Sequence, residues 1–221
     1  DDKPQLLHQL ADQAQTARAL CDAYSATGDD RYLRLAEELM DFTNRTLYEP
    51  QHGGYFDTIV DPNAPGFLSK PAKPLDENSL AARVLTRLYH LTGKENYRKQ
   101  AEETLNRFVG IYPQFGFMAA EYALAVDGLQ NDPTTIRIVG SRDVLQTKGL
   151  LAESQRVYDP RKIIQVLDPE RNSSAIAALG YPLTDLPTAY VCVGRICTSP
   201  IVEPKQVAPE LARLMSGQVR R

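Results

Sequence analysis

The sequence predicts a mainly α-helical chain: helical hairpins of an incomplete α/α toroid, followed by a small α/β segment. Three observations carry this prediction. The first half of the chain matches itself under a shift of about 65 residues. Within each matched stretch apolar residues recur at three- and four-residue steps, the spacing of one helical face. After Asn131-Asp132-Pro133 the pattern changes to short β-branched runs bounded by turn residues.

The self-match runs without a gap. Leu10 falls on Leu75, Ala17-Arg18 on Ala82-Arg83, Leu20 on Leu85 and Tyr24 on Tyr89. Thr27-Gly28 then falls on Thr92-Gly93, Tyr32 on Tyr97, and Ala36-Glu37-Glu38 on Ala101-Glu102-Glu103. Each unit reads as a helical hairpin. Leu10, Ala14, Ala17, Leu20 and Tyr24 form the first apolar stripe. Gly28 is placed to take the left-handed conformation that ends a helix, and Asp29 or Asp30 can cap the next. Tyr32, Leu35, Ala36, Leu39, Met40 and Leu47 form the second stripe. The second unit repeats this through Leu80, Val84, Leu88 and Leu91, a stop at Gly93, then Tyr97, Ala101, Leu105 and Phe108. A third helix, from about Phe117 to Leu129, reads as the first half of another hairpin.

A long link, from Glu49 to Asp76, separates the units. It holds His52-Gly53-Gly54-Tyr55-Phe56-Asp57 and a proline-rich stretch through Pro62, Pro65, Pro71 and Pro74. Hairpins of this kind stack as solenoids or close into toroids. Two and a half units cannot close a ring, so the ends of the array are expected to need another surface. The boundary is placed at residue 132, giving hairpin repeats over 1–132 and a small α/β segment over 133–221.

In that second segment Thr135–Val139 and Lys162–Leu167 read as strands around a helix that starts at Ser141 or Asp143 and runs to about Val157. This is a βαβ unit with a parallel strand pair. Ala189–Val193 and Ile196–Thr198 flank Gly194-Arg195, a two-residue hairpin turn with glycine first. A last helix spans roughly Pro204–Met215.

Composition narrows the function classes. The 221 residues are 43% hydrophobic and 24% charged, with a formal net charge of −3. That balance fits an ordinary globular chain, and no basic stripe marks a nucleic-acid partner. No apolar run approaches the roughly 20 residues that span a bilayer. Three cysteines are too few for a disulfide scaffold, so a cytoplasmic setting is expected. The start, Asp1-Asp2-Lys3-Pro4, has none of the regions of a signal peptide.

Four segments carry a family resemblance: Leu20–Leu33 (LCDAYSATGDDRYL), Gly53–Thr58 (GGYFDT), Lys73–Ala82 (KPLDENSLAA) and Ala189–Pro204 (AYVCVGRICTSPIVEP). Together they resemble the C-terminal part of the thioredoxin-domain-containing YyaL family, which includes spermatogenesis-associated relatives. The resemblance implies an N-terminal thioredoxin-like domain followed by an α/α toroid similar to N-acylglucosamine 2-epimerases and six-hairpin glycosidases. This chain has no Cys-x-x-Cys, so that family's redox centre is not carried over. The resemblance implies a cavity that binds or processes a carbohydrate, with sugar epimerase, isomerase or glycosidase chemistry if the protein is an enzyme. The alternative is a non-catalytic scaffold or a redox-partner module for a thioredoxin-like domain. The partners implied are the remaining toroid hairpins and that domain, or a second copy covering the open array.

In toroids of this type the starts of the inner helices and the adjacent links rim the cavity. The repeat register puts Asp12 on Glu77 and Gln13 on Asn78. Asp12, Asp57 and Glu77 are therefore the candidate catalytic carboxylates, able to act as general acid and base. Gln13, His52 and Asn78 are the candidates for bonding sugar hydroxyls. Against this, an acid in a first helical turn is favoured by the helix dipole alone, and His52 and Asp57 can simply flank a β-turn. His8 and His90 do not space with carboxylates as metal ligands would, and neither a metal nor a cofactor is expected. Val139-Gly140-Ser141-Arg142 joins a strand to a helix, where α/β folds hold anions, but a single glycine makes a weak phosphate loop. Cys21 lies on an apolar helix side and reads as a buried small hydrophobe.

Cys192 and Cys197 are a candidate redox pair. In a two-residue hairpin they form the non-hydrogen-bonded pair next to the turn, with Cα atoms about 4.5 Å apart, where a bridge is feasible but strained. The small loop and a reducing compartment favour thiols, so the pair is expected adjacent and reduced.

Overall fold

The computed structural model describes residues 8–59, 63, 65–194 and 196–218. Arg195 of the expected hairpin turn, Pro62 and the first seven residues lie outside the described residues. The chain divides into two compact units: Asp1–Asp22 with Arg31–Asn131, and Ala23–Asp30 with Asp132–Arg221.

The repeat is visible at residue level. Helix α1 spans Leu10–Thr27 and α3 spans Leu75–Thr92, so both ends shift by the same 65 residues. Their partners start in the same register, α2 at Asp30 (Asp30–Leu47) and α4 at Glu95 (Glu95–Asn106). Each first helix stops by the same device. Gly28 and Gly93 take φ of 68° and 73°, and their N–H groups donate to the Tyr24 and Tyr89 carbonyls at 2.7 Å in both cases. The Thr27 and Thr92 hydroxyls each return to a carbonyl four residues back, also at 2.7 Å.

In the first unit, Leu10, Ala14, Ala17 and Cys21 of α1 join Ala36 and Met40 of α2 and Leu80, Val84 and Leu88 of α3 in one buried core. Cys21 is fully buried, and that burial pushes its thiol up to about 11. Leu35 departs from the expected stripe and is 49% exposed. It sits 100° round the helix from buried Ala36, beyond the edge of the apolar face. The third helix, α5, spans Ala120–Gln130 and starts later than its apolar pattern. Gly116, at φ 54° and ψ −129°, breaks the preceding 3-10 turn over Tyr112–Ala119 and leaves Phe117 exposed. Helices α1 and α3 meet at equivalent positions, Arg87 pairing with Asp22, whereas Arg83 pairs with Glu121 of α5 at 2.5 Å.

The second unit holds a four-stranded mixed sheet of order β2-β1-β3-β4. Strands β1 (Thr134–Val139) and β2 (Lys162–Leu167) are parallel, joined by α6 (Leu145–Arg156). Strand β3 (Thr188–Val193) pairs antiparallel with β1 on one side and with β4 (Ile196–Cys197) on the other. Ile136, Ile138, Ile164, Val166 and Val191 pack with Leu150 of α6 and with Val207 and Leu211 of α8 (Val207–Gln218). A short helix absent from the sequence reading, α7 (Ser173–Leu179), buries Ile176 beside Val139, Leu167 and Tyr190.

Residues 23–30, the turn between α1 and α2, are part of this second unit. The Gln155 amide donates to the Ala26 carbonyl at 2.8 Å, and Arg142 forms an ion pair with Asp29 at 3.1 Å. A Cβ on Gly28 would stand 2.7 Å from Cγ2 of Val166. Helix α6 begins at Leu145, and the Ser141–Val144 stretch is a turn closed by a 3.2 Å backbone bond. The helix start is displaced from the loop, and Arg142 is committed to Asp29 and the Gly28 carbonyl.

Candidate functional site

Three of the sequence candidates converge where α1 and α3 begin. Glu77, in the first turn of α3, is half-buried, and its carboxyl is pushed above its ordinary value. Burial is the largest cause, followed by the negative charges of Asp76 and Asp57, with a smaller push from Asp12. The N–H of Ala11, in the first turn of α1, points at the same carboxylate and opposes the rise. Glu77 thus caps the neighbouring inner helix while standing among three other acids. Neighbouring carboxylates resist simultaneous ionisation, so a proton is held here more readily than on an isolated glutamate.

Asp57 is fixed by backbone on both sides. Its N–H donates to the Ala72 carbonyl at 2.8 Å, and the Ala72 N–H returns to its Oδ1 at 2.9 Å. Its own carbonyl accepts the Leu10 N–H at 2.9 Å, tying the link to the start of α1. Asp12 is exposed and Gln13 half-buried. The Gln13 side chain makes no hydrogen bond among the described residues, so its amide is available at this rim.

Asn78 has a different role from the expected one. It is fully buried, and its Oδ1 accepts the Tyr55 N–H at 2.6 Å. Its Nδ2 donates to the carbonyls of Tyr55 at 3.0 Å and Pro74 at 2.8 Å. Fully buried, with both amide hydrogens and its oxygen engaged by backbone, it positions the Gly-Gly link and does not face a ligand.

His52 is likewise not at the rim. It lies exposed in the turn after Tyr48, its Nδ1 3.0 Å from Oε2 of Glu49. That turn closes a small flap in which Tyr48 and Tyr55 form an antiparallel bridge. Gly53 and Gly54 both take positive φ, and a Cβ on Gly53 would meet the Glu103 carbonyl oxygen at 2.8 Å.

The sequence reading missed the group that holds this flap. Lys73 pairs with Glu49 at 3.0 Å, donates to the Gly53 carbonyl at 2.5 Å, and sits 4.9 Å above the Phe56 ring. Desolvation pushes the Glu49 carboxyl up, but hydrogen bonds from Lys73, the Gln51 amide and His52 outweigh it and hold Glu49 at about 2. A lone lysine ahead of a proline carries no spacing signal, so nothing local marked it.

In the second unit Cys192 and Cys197 are register partners across the β3–β4 hairpin, as the two-residue turn requires. They are joined by a disulfide with Cα atoms 4.0 Å apart, and this corrects the expectation of free thiols. The turn alone brings the two side chains together, so the bond needs no rearrangement of the sheet. Cys192 is buried and Cys197 exposed. Among the described residues no group of three or more His, Cys, Asp or Glu side chains is arranged to hold a metal ion, and no helix is long and apolar enough to cross a membrane.

No family model matches the chain. It is 28% identical over 208 residues to human spermatogenesis-associated protein 20 and 25% identical over 208 residues to the mouse protein. It is 25% identical over 198 residues to an uncharacterised protein of Caenorhabditis elegans. The human alignment takes in 88% of this chain and 26% of the relative, so the chain spans about a quarter of the length of the curated relatives it matches. Among solved structures it is similar to the cellobiose 2-epimerase of Spirochaeta thermophila, with TM-score 0.40 and 23% identity over 48% of this chain and 26% of that one. It is also similar to a family 76 glycoside hydrolase from a bovine Bacteroides thetaiotaomicron strain, with TM-score 0.42 and 20% identity over 50% and 24% of the two chains. A sugar epimerase from a ruminal bacterium aligns with TM-score 0.38 and 15% identity over 66% and 36%. Over 88% of its length the chain is therefore similar to part of spermatogenesis-associated protein 20, a relative of the kind its sequence motifs resembled.

Proposed function

We propose that the rim formed by the starts of α1 and α3 belongs to a carbohydrate-handling cavity, with Glu77 as its proton-carrying group. The observation that supports this best is the convergence of Asp76, Asp57 and Asp12 on a half-buried Glu77 whose carboxyl is pushed above its ordinary value. A pair of carboxylates in unlike environments is what general acid–base chemistry on a sugar uses: one holds the proton while the other stays charged. Glu77 takes the acid role and Asp57, fixed by Ala72, the base role. The unpaired amide of Gln13 supplies a bond to a sugar hydroxyl. Calorimetry with a panel of mono- and disaccharides, on this chain and on a protein of the relatives' full length, tests it. Binding that weakens about tenfold in Glu77→Gln supports the reading, and an unchanged affinity removes it.

The disulfide favours a second reading, a redox-partner module. A thiolate of a partner dithiol would attack Sγ of exposed Cys197 and release Cys192 as thiolate. The partner's second thiolate would then resolve the mixed disulfide, leaving Cys192 and Cys197 reduced and the partner oxidised.

A further inference from the structure

The first unit builds the same groove twice, and no described residue fills one of the two copies. In the filled copy, α4 lies against α2 and α3. Its Tyr97 hydroxyl reaches Oε1 of Glu37 at 3.3 Å and Oδ1 of Asp41 at 3.2 Å, and Nζ of Lys94 pairs with Glu37 at 2.6 Å. Tyr97, Ala101 and Leu105 are buried in the shared core.

Advancing by the repeat carries Glu37 to Glu102 and Asp41 to Asn106. Those two residues line an open cavity of about 300 Å³ between α4 and α5, floored by Leu105, Tyr122, Val126 and Leu129. Helix α5 flanks α3 through Arg83 and Glu121, so it stands where the next inner helix of the row belongs. Among the described residues neither the Glu102 carboxylate nor the Asn106 side chain has a partner, although Glu37 and Asp41 are both engaged. The groove's own cation, Arg98, lies over the Tyr89 ring. Beside the groove Val109 is 55% exposed.

We propose that this groove docks one amphipathic helix, which presents a lysine or arginine and, three residues on, a tyrosine to Glu102 and Asn106. Continuity with the α2–α4 interface supplies the geometry, and the unpaired acid supplies the charge. An i, i+3 pair lies on one helical face, so both groups reach the rim together while the apolar side covers Leu105 and Val126.

A helix-stapled peptide with the sequence of residues 94–109, which fills the equivalent groove, is the probe. Titrated by fluorescence anisotropy into the full chain, it should bind saturably. Glu102→Gln should weaken it about tenfold, the loss of one charge-assisted bond. Tyr97→Phe in the peptide should weaken it further, whereas Glu37→Gln in the protein should leave it unchanged. Glu102 is exposed, so its substitution leaves the fold intact for this comparison. Absence of binding at millimolar peptide overturns the proposal, as does binding that follows Glu37 and ignores Glu102. Self-association of the chain that is lost in Glu102→Gln would make the occupant a second copy and likewise overturn it.

Discussion

Gly28 and Gly93 are equivalent residues with different surroundings. Both hold positive φ, a conformation that costs an L-residue roughly 1–2 kcal/mol. At Gly93 an added Cβ meets nothing within 4 Å, so Gly93→Ala should cost only that amount. At Gly28 the added carbon would strike Val166, a β-branched residue held inside a strand, and overpacking adds about 1–3 kcal/mol. Urea unfolding of the two alanine variants measures the difference. Equal losses would mean that the residue 23–30 turn does not pack on β2 as described. Glu77 shows the same dependence on surroundings. Its repeat partner Asp12 occupies the corresponding helical turn but stays exposed, whereas Glu77 is half-buried and its carboxyl is pushed above its ordinary value.

At the scale of elements, the β3–β4 hairpin sets cysteine chemistry by register alone. Cys192 and Cys197 lie five residues apart, and a loop that small gains only about 2 kcal/mol from closure. The bond is therefore weak as a staple, while the exposure of Cys197 leaves one sulfur open to attack. Native protein prepared without reductant should show no reactive thiol. Mild reduction should release two, and Cys21 should react only after denaturation, because burial holds its thiol near 11. Thiol counting by mass-resolved alkylation distinguishes the three states. A native preparation with Cys192 and Cys197 already alkylated would contradict the disulfide. The residue 47–57 flap is the other element set by pairing: Lys73 joins Glu49, Gly53 and Phe56, and Asn78 closes it from α3.

For the whole molecule, pH acts on the first unit in two directions. Glu49 ionises near 2 when folded, below the ordinary 4.5, so the stability it lends is full above 4.5 and lost as pH falls toward 2. Glu77 has its folded value raised, so its contribution is full below 4.5 and lost as pH rises above that. Urea midpoints at pH 7, 4.5 and 2.5 separate the two effects. Glu77→Gln should flatten the limb above 4.5 and Glu49→Gln the limb below it. If Glu77→Gln left the upper limb unchanged, the four acids would not be acting on one another in solution.

The amino-acid sequence by itself determined the hairpin repeat, the glycine stops, the parallel β1–β2 pair and the facing of Cys192 with Cys197. Each of these follows from residue spacing along a few turns of chain or from the chemistry of a single turn, which act before distant residues meet. The register also singled out Asp12 with Glu77, because stacked repeats put equivalent positions side by side. Only the tertiary structure decided that Asn78 is spent on the Tyr55 backbone, that Lys73 holds the flap, and that residues 23–30 join the second unit. It also set the sheet order, with β3 beside β1. Those outcomes depend on partners far away in sequence: Tyr55 lies 23 residues from Asn78, and Gln155 lies 129 from Ala26. Periodicity reports which face of an element is buried but not which polar group that face will meet.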